Sequence, residues 1–520
     1  MSPTISTHHA SGCTRAVVIN VVGLSARHIG VNTPRLRELA RSLGGVRPLR
    51  PDFPAVTCTS QSSMLTGLTP RDHGVVANGW FDREHGEARL WRQSNALVHG
   101  DKVWDKAKAR NSKCTTANLF WWFNMNSTCD FTVTPRPIYT HNGRKIPDIS
   151  TQPDTLRDTL QKKLGAFPLF DFWGPRASIR SSDWIARAAI QVMREHDPAL
   201  TLIYIPHLDY VLQREGPNSP NLAAELREVD RIVGGLLDEC AARHARPIVL
   251  SEYGIEAATQ PVYLNRALRK AGLLTVRDEL GRDALEPMTS PAFAVCDHQI
   301  AHVYVRDTTS TTPHDRGQAE SISPTHASQV QHAEFISPTH ASRVQHVESI
   351  SPAHASRVQH VAQVLAALPG VESVLDRAAQ ATLQIDHQRS GDLVITAQPS
   401  AWFAYPWWLD DARAPDFARC VDIHKKPGYD PCELLVDPAI TLPAMHVAKF
   451  KIARALGFRA SLQLTPLNAS LVKGTHGRTQ LAPGFEPVVL AENSLLPEKD
   501  FVSCQDMSNI ILRHLFNDQP

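Results

Sequence analysis

The sequence predicts an α/β protein with a mostly parallel central sheet and helices on both faces. Two observations support this prediction: apolar runs rich in β-branched residues, typical of strands buried on both faces, and helical segments that alternate with those runs. The chain has 520 residues, 42% hydrophobic and 20% charged, which is a globular composition with room for two or three domains or one core with insertions. Its formal net charge of +2 argues against a nucleic-acid or membrane-surface binder that depends on net charge.

The first strand and helix are expected near the start of the chain. Ala16–Val22 is nearly continuous in apolar, β-branched residues, and Gly23 ends the run. Thr33 is then a suitable N-cap, and Pro34 a suitable first residue, for an amphipathic helix that stops at Gly44. These residues form one β–α unit.

The same alternation returns further along the chain. Leu202–Ile205 is a buried strand, Leu222–Cys240 carries the apolar face of a long helix, and Ile248–Leu250 is the next strand. A strand, a helix and a strand in this order predict a parallel crossover. Because ligand sites in open α/β sheets lie beyond the carboxyl ends of the strands, we expect functional residues directly after these strands and after the first one.

A low-complexity segment follows residue 308. It holds three near-identical 14-residue units, Glu320–Ala333, Glu334–Val347 and Glu348–Val361, each built on Ser-Pro-x-His-Ala-Ser-x-Val-Gln-His. The units lack the regular apolar stripe of a solenoid repeat, so we predict a duplicated surface insertion without a functional metal site on its six histidines. In each unit a short helix could begin after an N-cap serine, at Ser323, Ser337 or Ser351.

Three features are expected beyond the repeats. Val364–Leu375 indicates a further helix, and Leu393–Thr396 a further strand. The aromatic cluster Trp402–Trp408 favours packing in the core of a subdomain over a binding wall.

The cysteines and the start of the chain bear on location. The nine cysteines are scattered and contain no C-x-x-C pair, so we expect reduced thiols and neither a disulfide framework nor a zinc ribbon. No window reaches the roughly 18 apolar residues of a membrane span. Met1–Arg15 is polar and lacks the apolar segment of a secretory signal. We therefore predict a cytoplasmic protein without a membrane partner.

The most informative stretch of the chain runs from Phe53 to Asn78. It reads Phe-Pro-Ala-Val-Thr to Thr57, then Leu-Thr-Gly to Gly67, then Pro70, His73-Gly74 and finally Asn78. This order and spacing resemble the nucleophile segment of the type I phosphodiesterase/nucleotide pyrophosphatase family, a branch of the alkaline phosphatase superfamily. The resemblance implies an alkaline-phosphatase-like three-layer α/β sandwich with a cap-like insertion.

The resemblance also implies catalytic roles. Thr57 matches the threonine that attacks phosphorus and becomes phosphorylated, a role for which a hydroxyl needs activation by a metal or a base. Asn78 matches the asparagine that donates a hydrogen bond to a non-bridging phosphoryl oxygen, which stabilises the developing charge. The purely structural alternative is a Thr/Ser-rich loop after a strand, with Asn78 in a turn.

The ligands of the first zinc site of the family are partly kept. Asp209 stands in the place of the aspartate, and Gln213 stands four residues later where a histidine would be. His476, between Gly474 and Gly477, matches the C-terminal histidine of the same site. The change at Gln213 weakens this site.

The second site is changed more strongly. Glu252 and Tyr253 replace the aspartate and histidine of the Ser-Asp-His-Gly motif, and tyrosine is a poor substitute for imidazole. Val22 stands where an aspartate is usual, and Asn20 is a weak substitute on the same side of the strand. We still expect a divalent metal cofactor, zinc first, with one or two ions. Its predicted ligands are Asp209, Glu252, His476, Asn20 and Gln213.

Charged residues elsewhere are candidate substrate contacts. Lys473 and Arg478 are possible anchors for phosphate or carboxylate, and Asp422 and His424 form a second group. Surface or packing roles are the alternative for all four, and relocated metal ligands are a further alternative for Asp422 and His424. The pair Asp297-His298 is open to three interpretations: relocated metal ligands, substrate contacts or packing residues.

These observations lead to one organisation and two main functions. We expect an α/β core at 16–255, a cap-like insertion at 256–440 that contains the repeats at 320–361, and a return to the core at 441–520. The leading prediction is a metal-dependent phosphohydrolase that acts on a small phosphoester or nucleotide-like substrate through a phosphothreonine intermediate. The alternative is a catalytically impaired member that binds a phosphorylated or phosphonate-like metabolite.

Two further classes are less favoured. A sulfuryl-transferring enzyme would resemble a Cys/Ser-x-Pro-x-Arg pattern, and none surrounds Thr57. A nucleic-acid partner is not expected, and the oligomeric state stays open.

Overall fold

The computed structural model describes residues 13–141, 144–307 and 351–518. The α-helices are Pro34–Ser42 (α1), Thr57–Thr66 (α2), Pro70–His73 (α3), Val103–Arg110 (α4), Thr155–Leu164 (α5), Leu169–Phe172 (α6), Ile179–His196 (α7), His207–Glu215 (α8), Leu222–Ala242 (α9), Leu264–Lys270 (α10), Pro352–Ala366 (α11), Arg377–Thr382 (α12), Pro443–Ala455 (α13) and Asp506–Phe516 (α14). The strands are Arg15–Val21 (β1), Arg47–Arg50 (β2), Gly79–Asp82 (β3), Glu87–Leu90 (β4), Thr116–Leu119 (β5), Phe131–Pro135 (β6), Ile138–Tyr139 (β7), Lys145–Ile146 (β8), Ile149–Gln152 (β9), Leu200–Ile205 (β10), Ala245–Leu250 (β11), Glu256–Ala257 (β12), Gln260–Val262 (β13), Val276–Glu279 (β14), Arg282–Leu285 (β15), Ala292–Asp297 (β16), Ile300–Val305 (β17), Val371–Leu375 (β18), Leu393–Ala397 (β19), Ala401–Phe403 (β20), Gly474–Thr475 (β21), Val488–Leu490 (β22) and Val502–Ser503 (β23).

A nine-stranded mixed sheet forms the centre of the molecule. Its order is β23-β2-β22-β11-β1-β10-β5-β6-β9. The five strands β11, β1, β10, β5 and β6 run parallel to one another, while β22 and β9 pair antiparallel with the ends of this group. The predicted parallel crossover is therefore present, with β10 and β11 on the two sides of β1.

Two sets of helices cover this sheet. Helices α1, α7 and α9 pack together and against β10 and β11, whereas α14 packs against α2, α4 and β1. In α9 the residues Val229, Val233 and Leu236 are buried, as the helical spacing predicts. The predicted α/β architecture with helices on both faces is confirmed.

A second, smaller sheet lies within the predicted insertion at 256–440, and we call this sheet and the elements packed on it the cap. It is antiparallel, with the order β16-β17-β19-β18, and helices α10 and α11 pack on it. Phe403, Trp407 and Trp408 are buried in its apolar core, so the aromatic cluster is a packing element as predicted. Phe81 and Leu90 of the β3–β4 hairpin pack in the same core, which ties the cap to the first part of the chain.

The segment after the repeats differs from the prediction. Val364–Leu375 is not one helix, because α11 ends at Ala366 and β18 begins at Val371. Pro369 and Gly370 separate the two elements, and Gly370 has a positive φ of 93° that a helix does not allow. The strand predicted at Leu393–Thr396 is β19.

The third repeat unit is part of the cap. Its residues from 351 onward are described, and Ser351 caps α11 by accepting a hydrogen bond from the N–H of His354. Residues 351–360 are exposed or partly exposed and Val361 at the end of the unit is fully buried, so the described part of the unit is a helix at the surface that is anchored by its last residue. The first two units lie outside the described residues.

The C-terminal part of the chain returns to the central sheet. Strands β22 and β23 join the sheet, and α14 contacts β1. All nine cysteines are free thiols, and eight of them are buried, as the scattered spacing predicts. Within the described part of the chain, no helix combines the length and apolar character that crossing a bilayer requires.

Candidate active site

The candidate site lies at the carboxyl ends of the parallel strands. Asp209 follows β10 at the start of α8, Glu252 follows β11, and Asn20 lies near the end of β1. These are the strand ends at which the sequence pattern places functional residues. The parallel sheet brings together side chains up to 232 positions apart in the chain.

Thr57 is the first residue of α2. Val56 before it is extended, with φ −132° and ψ 156°, so the backbone enters the helix abruptly at the threonine. The side chain is 3% exposed and therefore shielded from bulk water. The first turn of a helix offers N–H groups without helical partners and a positive dipole end, which favour an anionic group beside Thr57.

Asn78 is held in a fixed position next to this helix start. Its Oδ1 accepts a hydrogen bond from the backbone N–H of Cys58 at 3.0 Å. Its own N–H and its Nδ2 donate to the two oxygens of Asp297 at 2.8 and 3.0 Å. The amide is thus oriented from both sides, as a preorganised hydrogen-bond donor requires.

The hydroxyl of Tyr253 links Thr57 to Asp209. It donates to Oδ1 of Asp209 at 3.1 Å and lies 3.2 Å from Oγ1 of Thr57. Because a phenol has a single proton, the threonine is the donor in the second contact. The three groups form a continuous path from the hydroxyl of Thr57 to a carboxylate.

Asp209 carries a second neutral donor on its other oxygen. Nε2 of Gln213 donates to Oδ2 at 2.8 Å, and Oε1 of Gln213 accepts from the hydroxyl of Tyr429 at 2.9 Å. Burial raises the pKa of Asp209 to about 6, although the hydrogen bonds from Gln213 and Tyr253 act in the opposite direction. Above that pH the carboxylate is the main form and can accept a proton.

Glu252 is contacted by amides on one of its two oxygens, and its Oε1 is buried without a hydrogen-bond partner. Its Oε2 accepts from Nδ2 of Asn20 at 2.6 Å and from Nε2 of Gln61 at 2.7 Å. Burial raises the pKa of Glu252 to about 8, and the polar side chains of Gln61, Asn20 and Thr57 oppose this shift. At neutral pH the side chain is therefore mainly uncharged.

His476 lies in a stack of rings. Its ring is 3.6 Å from the ring of Tyr253 and 3.7 Å from that of His298, and His298 stacks in turn on Tyr429. Nδ1 of His476 pairs with the carbonyl oxygen of Ala55 at 2.8 Å, and Nε2 is 4.0 Å from Oδ1 of Asp209. Burial holds the pKa of His476 well below its usual range, so the imidazole is neutral.

The cap contributes a buried Asp–His pair to the same cluster. Nδ1 of His298 pairs with Oδ1 of Asp297 at 2.8 Å, and Asp297 also receives the two bonds from Asn78. His298 has a positive φ of 57°, an uncommon backbone conformation for a residue with a side chain. The turn between β16 and β17 thereby reaches into the site of the core.

The donor set does not fit the two-ion cluster that the resemblance implies. A cluster of that kind needs three nitrogen or oxygen ligands for each ion. The amide of Gln213 and the hydroxyl of Tyr253 instead direct protons at Asp209, and Asn20 directs its amide protons at Glu252. In residues 13–141, 144–307 and 351–518, no group of three or more His, Cys, Asp or Glu side chains is arranged to hold a metal ion.

The predicted anchors near His476 make their contacts elsewhere. Arg478 pairs with the carboxylate of Glu372 in the cap and donates to the carbonyl oxygen of Ala397 at 2.7 Å. Lys473 is exposed, and its ammonium donates to the carbonyl oxygen of Ser470 at 3.1 Å. Neither contact directs a charge toward Thr57.

Of the other two predicted substrate contacts, one lies in a cleft of about 1590 Å³. His424 lines this cleft together with Trp91, Trp407 and Arg136. Asp422 is half-buried, and its N–H donates to Glu433 at 2.9 Å. The structure does not bring these residues together with Asn78 and Asp209.

The structure adds residues that the sequence reasoning did not single out. Gln61 lies one helical turn after Thr57, so its position on the same face of α2 was readable from the spacing. Tyr429 reaches the site from the cap, and no signal in the sequence places it beside Gln213. For Asp297 the sequence leaves three roles open, as a metal ligand, a substrate contact or a packing residue.

Comparison with known proteins gives one family and several relatives. A family model described as type I phosphodiesterase/nucleotide pyrophosphatase matches residues 16–430. An uncharacterised pyrophosphatase/phosphodiesterase of Schizosaccharomyces pombe is 27% identical over 252 residues, which are 46% of this chain and 44% of that protein. Human ectonucleotide pyrophosphatase/phosphodiesterase family member 1 is 22% identical over 245 residues, which are 45% of this chain and 23% of that protein. The match thus spans less than half the length of each relative.

Two solved structures share the fold over nearly the whole chain. Phosphonoacetate hydrolase from Sinorhizobium meliloti in complex with phosphonoformate has a TM-score of 0.55 and 13% identity, with 96% of this chain and 95% of that chain covered. An inactive variant of murine ectonucleotide pyrophosphatase/phosphodiesterase 5 in complex with AMP has a TM-score of 0.51 and 14% identity, with 97% and 95% covered. At this identity the likeness establishes the fold.

Proposed function

Because the chain belongs to the type I phosphodiesterase/nucleotide pyrophosphatase family, we propose that it hydrolyses phosphoric ester or anhydride bonds of a small phosphoester or nucleotide-like substrate. One observation carries the proposal: the hydroxyl of Thr57 lies at the amino end of α2, with the amide of Asn78 fixed beside it. A nucleophile and an oriented donor for a phosphoryl oxygen are the two parts that this reaction needs most.

In the proposed reaction Thr57 is the nucleophile. Its Oγ1 attacks phosphorus, the bond from phosphorus to the leaving oxygen breaks, and a phosphothreonine forms. Water then attacks the phosphothreonine, which releases the phosphoryl product and restores the hydroxyl. Asn78 and the first turn of α2 bind the non-bridging oxygens in both steps.

The path through Tyr253 supplies the activation of Thr57. As Thr57 attacks, its proton passes to the hydroxyl of Tyr253, which passes its own proton to the carboxylate of Asp209. This arrangement of nucleophile, relay and base needs no metal ion. Members of the family are typically dependent on divalent metal ions, which would lower the pKa of the attacking hydroxyl. The donor set described above does not fit such ions, and no step is assigned to them.

A second function is favoured by a specific observation. Gln213 and Tyr253, the neutral donors that face Asp209, stand where the family resemblance has histidine ligands, and such a site can hold a phosphorylated or phosphonate-like metabolite without cleaving it. In this case the affinity for the ligand would not depend on the hydroxyl of Thr57.

The test compares wild type with Thr57→Ala and Thr57→Ser on bis-p-nitrophenyl phosphate and on nucleotide substrates. We expect the alanine variant to lose turnover by about four orders of magnitude or more and the serine variant to keep part of it. Acid quenching of the wild type during turnover should yield phosphate on Thr57, measured by peptide mass spectrometry. Equal turnover in wild type and Thr57→Ala would contradict the proposal, and ligand binding without turnover in either would favour the second function.

Location belongs to the same proposal. We propose a cytoplasmic location, which the nine free thiols favour because a reducing compartment keeps them unpaired, and cell fractionation with an antibody against the native protein tests this. Recovery in a secreted or membrane fraction would contradict it.

A further inference from the structure

Hydrogen-bond donors contact both buried carboxyl groups of the site, Asp209 and Glu252. For Asp209 these donors are the amide of Gln213 at 2.8 Å and the hydroxyl of Tyr253 at 3.1 Å. Both are neutral, and both stand at positions where the family pattern has histidine. The carboxylate is therefore satisfied within the protein, as buried polar groups generally are.

The other carboxyl group, Glu252, is contacted by donors on one of its two oxygens. Its Oε2 accepts from the amides of Asn20 and Gln61 at 2.6 and 2.7 Å, and its Oε1 is buried without a hydrogen-bond partner. The amide of Gln61 is itself fixed, because its Oε1 accepts from the backbone N–H of Trp122 at 2.7 Å. The Nε2 of Gln61 therefore faces Glu252 as a donor, and Nδ2 of Asn20 donates to the same oxygen.

Tyr253 stands at a ligand position of the second predicted site and contacts two predicted ligands of the first. Its hydroxyl contacts Asp209 and the predicted nucleophile Thr57 at 3.1 and 3.2 Å. Its ring lies flat on His476 at 3.6 Å with an interplanar angle of 6°. The side chain thus occupies the space beside Asp209, His476 and Thr57.

We propose that hydrogen-bond donors have replaced both divalent cations in this chain, so that the site folds and holds its ligand without the metal pair of its family. Four side chains carry the replacement: Asn20, Gln61, Gln213 and Tyr253. An ion between these groups would have to displace the donors and leave them buried without partners, which is unfavourable. The proposal follows from family membership and from the contacts, and it does not depend on turnover.

The first measurement is the metal content of the full chain purified without a histidine tag. Elemental analysis after dialysis, followed by calorimetric titration with zinc and with manganese, is carried out on wild type, on His476→Ala and on a variant whose six repeat histidines are replaced by glutamine. We expect no stoichiometric metal at the site and no change in thermal midpoint on addition of a chelator. Metal that disappears only with the repeat histidines is adventitious and agrees with the proposal. Stoichiometric metal that disappears in His476→Ala overturns it.

A second measurement restores the family pattern. The variant Val22→Asp, Gln213→His, Tyr253→His should bind up to about two zinc ions if the replaced side chains are what exclude them. Circular dichroism and the thermal midpoint show whether this variant folds. A folded variant that takes up no metal contradicts the proposal, and if the variant does not fold, the measurements on wild type still decide.

The outcomes separate this inference from the proposed function. A wild type without metal that hydrolyses a phosphoester supports both, whereas one without metal and without turnover supports this inference alone. A wild type with stoichiometric metal on His476 that hydrolyses the substrate leaves the proposed function standing and overturns this inference.

Discussion

At the scale of single residues, Tyr253 decides how the site works. In the sequence it stands where the family resemblance has a metal-binding histidine, and this change alone predicts a weakened metal site. In the structure its hydroxyl joins Thr57, the proposed nucleophile, to Asp209, and its ring packs on His476. A tyrosine at this position therefore completes a hydrogen-bonded path, because a phenol can accept one proton while it donates another.

The path through Tyr253 predicts a pH dependence. Asp209 must be ionised to accept a proton, and its pKa is about 6, so turnover is expected to rise as the pH increases through about 6. Tyr253→Phe removes the path and should reduce turnover by about 10²–10⁴-fold and abolish this rise. The measurement is kcat against pH for both proteins.

Tyr429→Phe is the matched control for that substitution. It removes another buried hydroxyl in the same stack, one that contacts Gln213 rather than Thr57. We expect it to keep the rise with pH and most of the turnover. Identical losses in the two variants would show that packing, and not proton transfer, explains the effect of Tyr253.

Asn78 gives a second prediction at this scale. If its amide binds a phosphoryl oxygen in the transition state, Asn78→Ala should lower kcat by about 10²–10³-fold with a smaller change in KM. Asn265→Ala is the control, since Asn265 is an equally buried amide that bonds only to carbonyl oxygens and an N–H within the cap. It should lower stability and keep turnover.

At the scale of secondary-structure elements, two features connect the cap to the site. The turn between β16 and β17 carries Asp297 and His298 into the core, where Asp297 orients Asn78. The β3–β4 hairpin makes the opposite connection: it belongs to the first part of the chain, and its Phe81 packs in the apolar core of the cap. The cap is therefore part of the site and not only a cover over it.

Helix α11 is the element on which the third repeat unit can be tested. Ser351→Ala removes the side-chain cap at the start of this helix and should lower the free energy of unfolding by about 1 kcal/mol, measured with urea. Ser356→Ala lies at an exposed position inside the same helix, where alanine is the better helix former, and should not lower stability. Equal losses at both positions would contradict the role of Ser351 as a cap.

At the scale of the whole molecule, the repeats and the packed cap make different contributions. Deletion of 320–347 removes the first two units. It leaves the capping serine in place and removes no residue that the structure describes as buried. Deletion of 320–361 also removes Ser351 and the buried Val361. We expect the shorter deletion to keep both turnover and the thermal midpoint, and the longer one to lower the midpoint.

Activity and thermal unfolding of the two deletion proteins, measured beside wild type, test this prediction. Loss of turnover in the shorter deletion would assign a function to the first two units. An unchanged midpoint in the longer deletion would show that the start of α11 contributes little to the cap.

The sequence by itself determined the fold class and the positions of the site. Continuous apolar runs predict parallel strands buried on both faces, and in such a sheet the residues after β10 and β11 must meet at one edge. Asp209, Glu252 and Thr57 follow from this and from the motif around Thr57. The cap strand β19 and the buried aromatic cluster also follow from local pattern, because both depend on neighbouring residues.

Only the tertiary structure decided what these side chains contact. An amide or a phenol in a motif can be a ligand, a donor or a packing group, and the choice depends on partners from distant parts of the chain. Gln213 and Tyr253 donate to Asp209, and a buried carboxyl group generally needs such partners. Arg478 pairs with Glu372, and Tyr429 donates to Gln213. Both contacts join the core to the cap, and such contacts depend on tertiary packing, which no local pattern encodes.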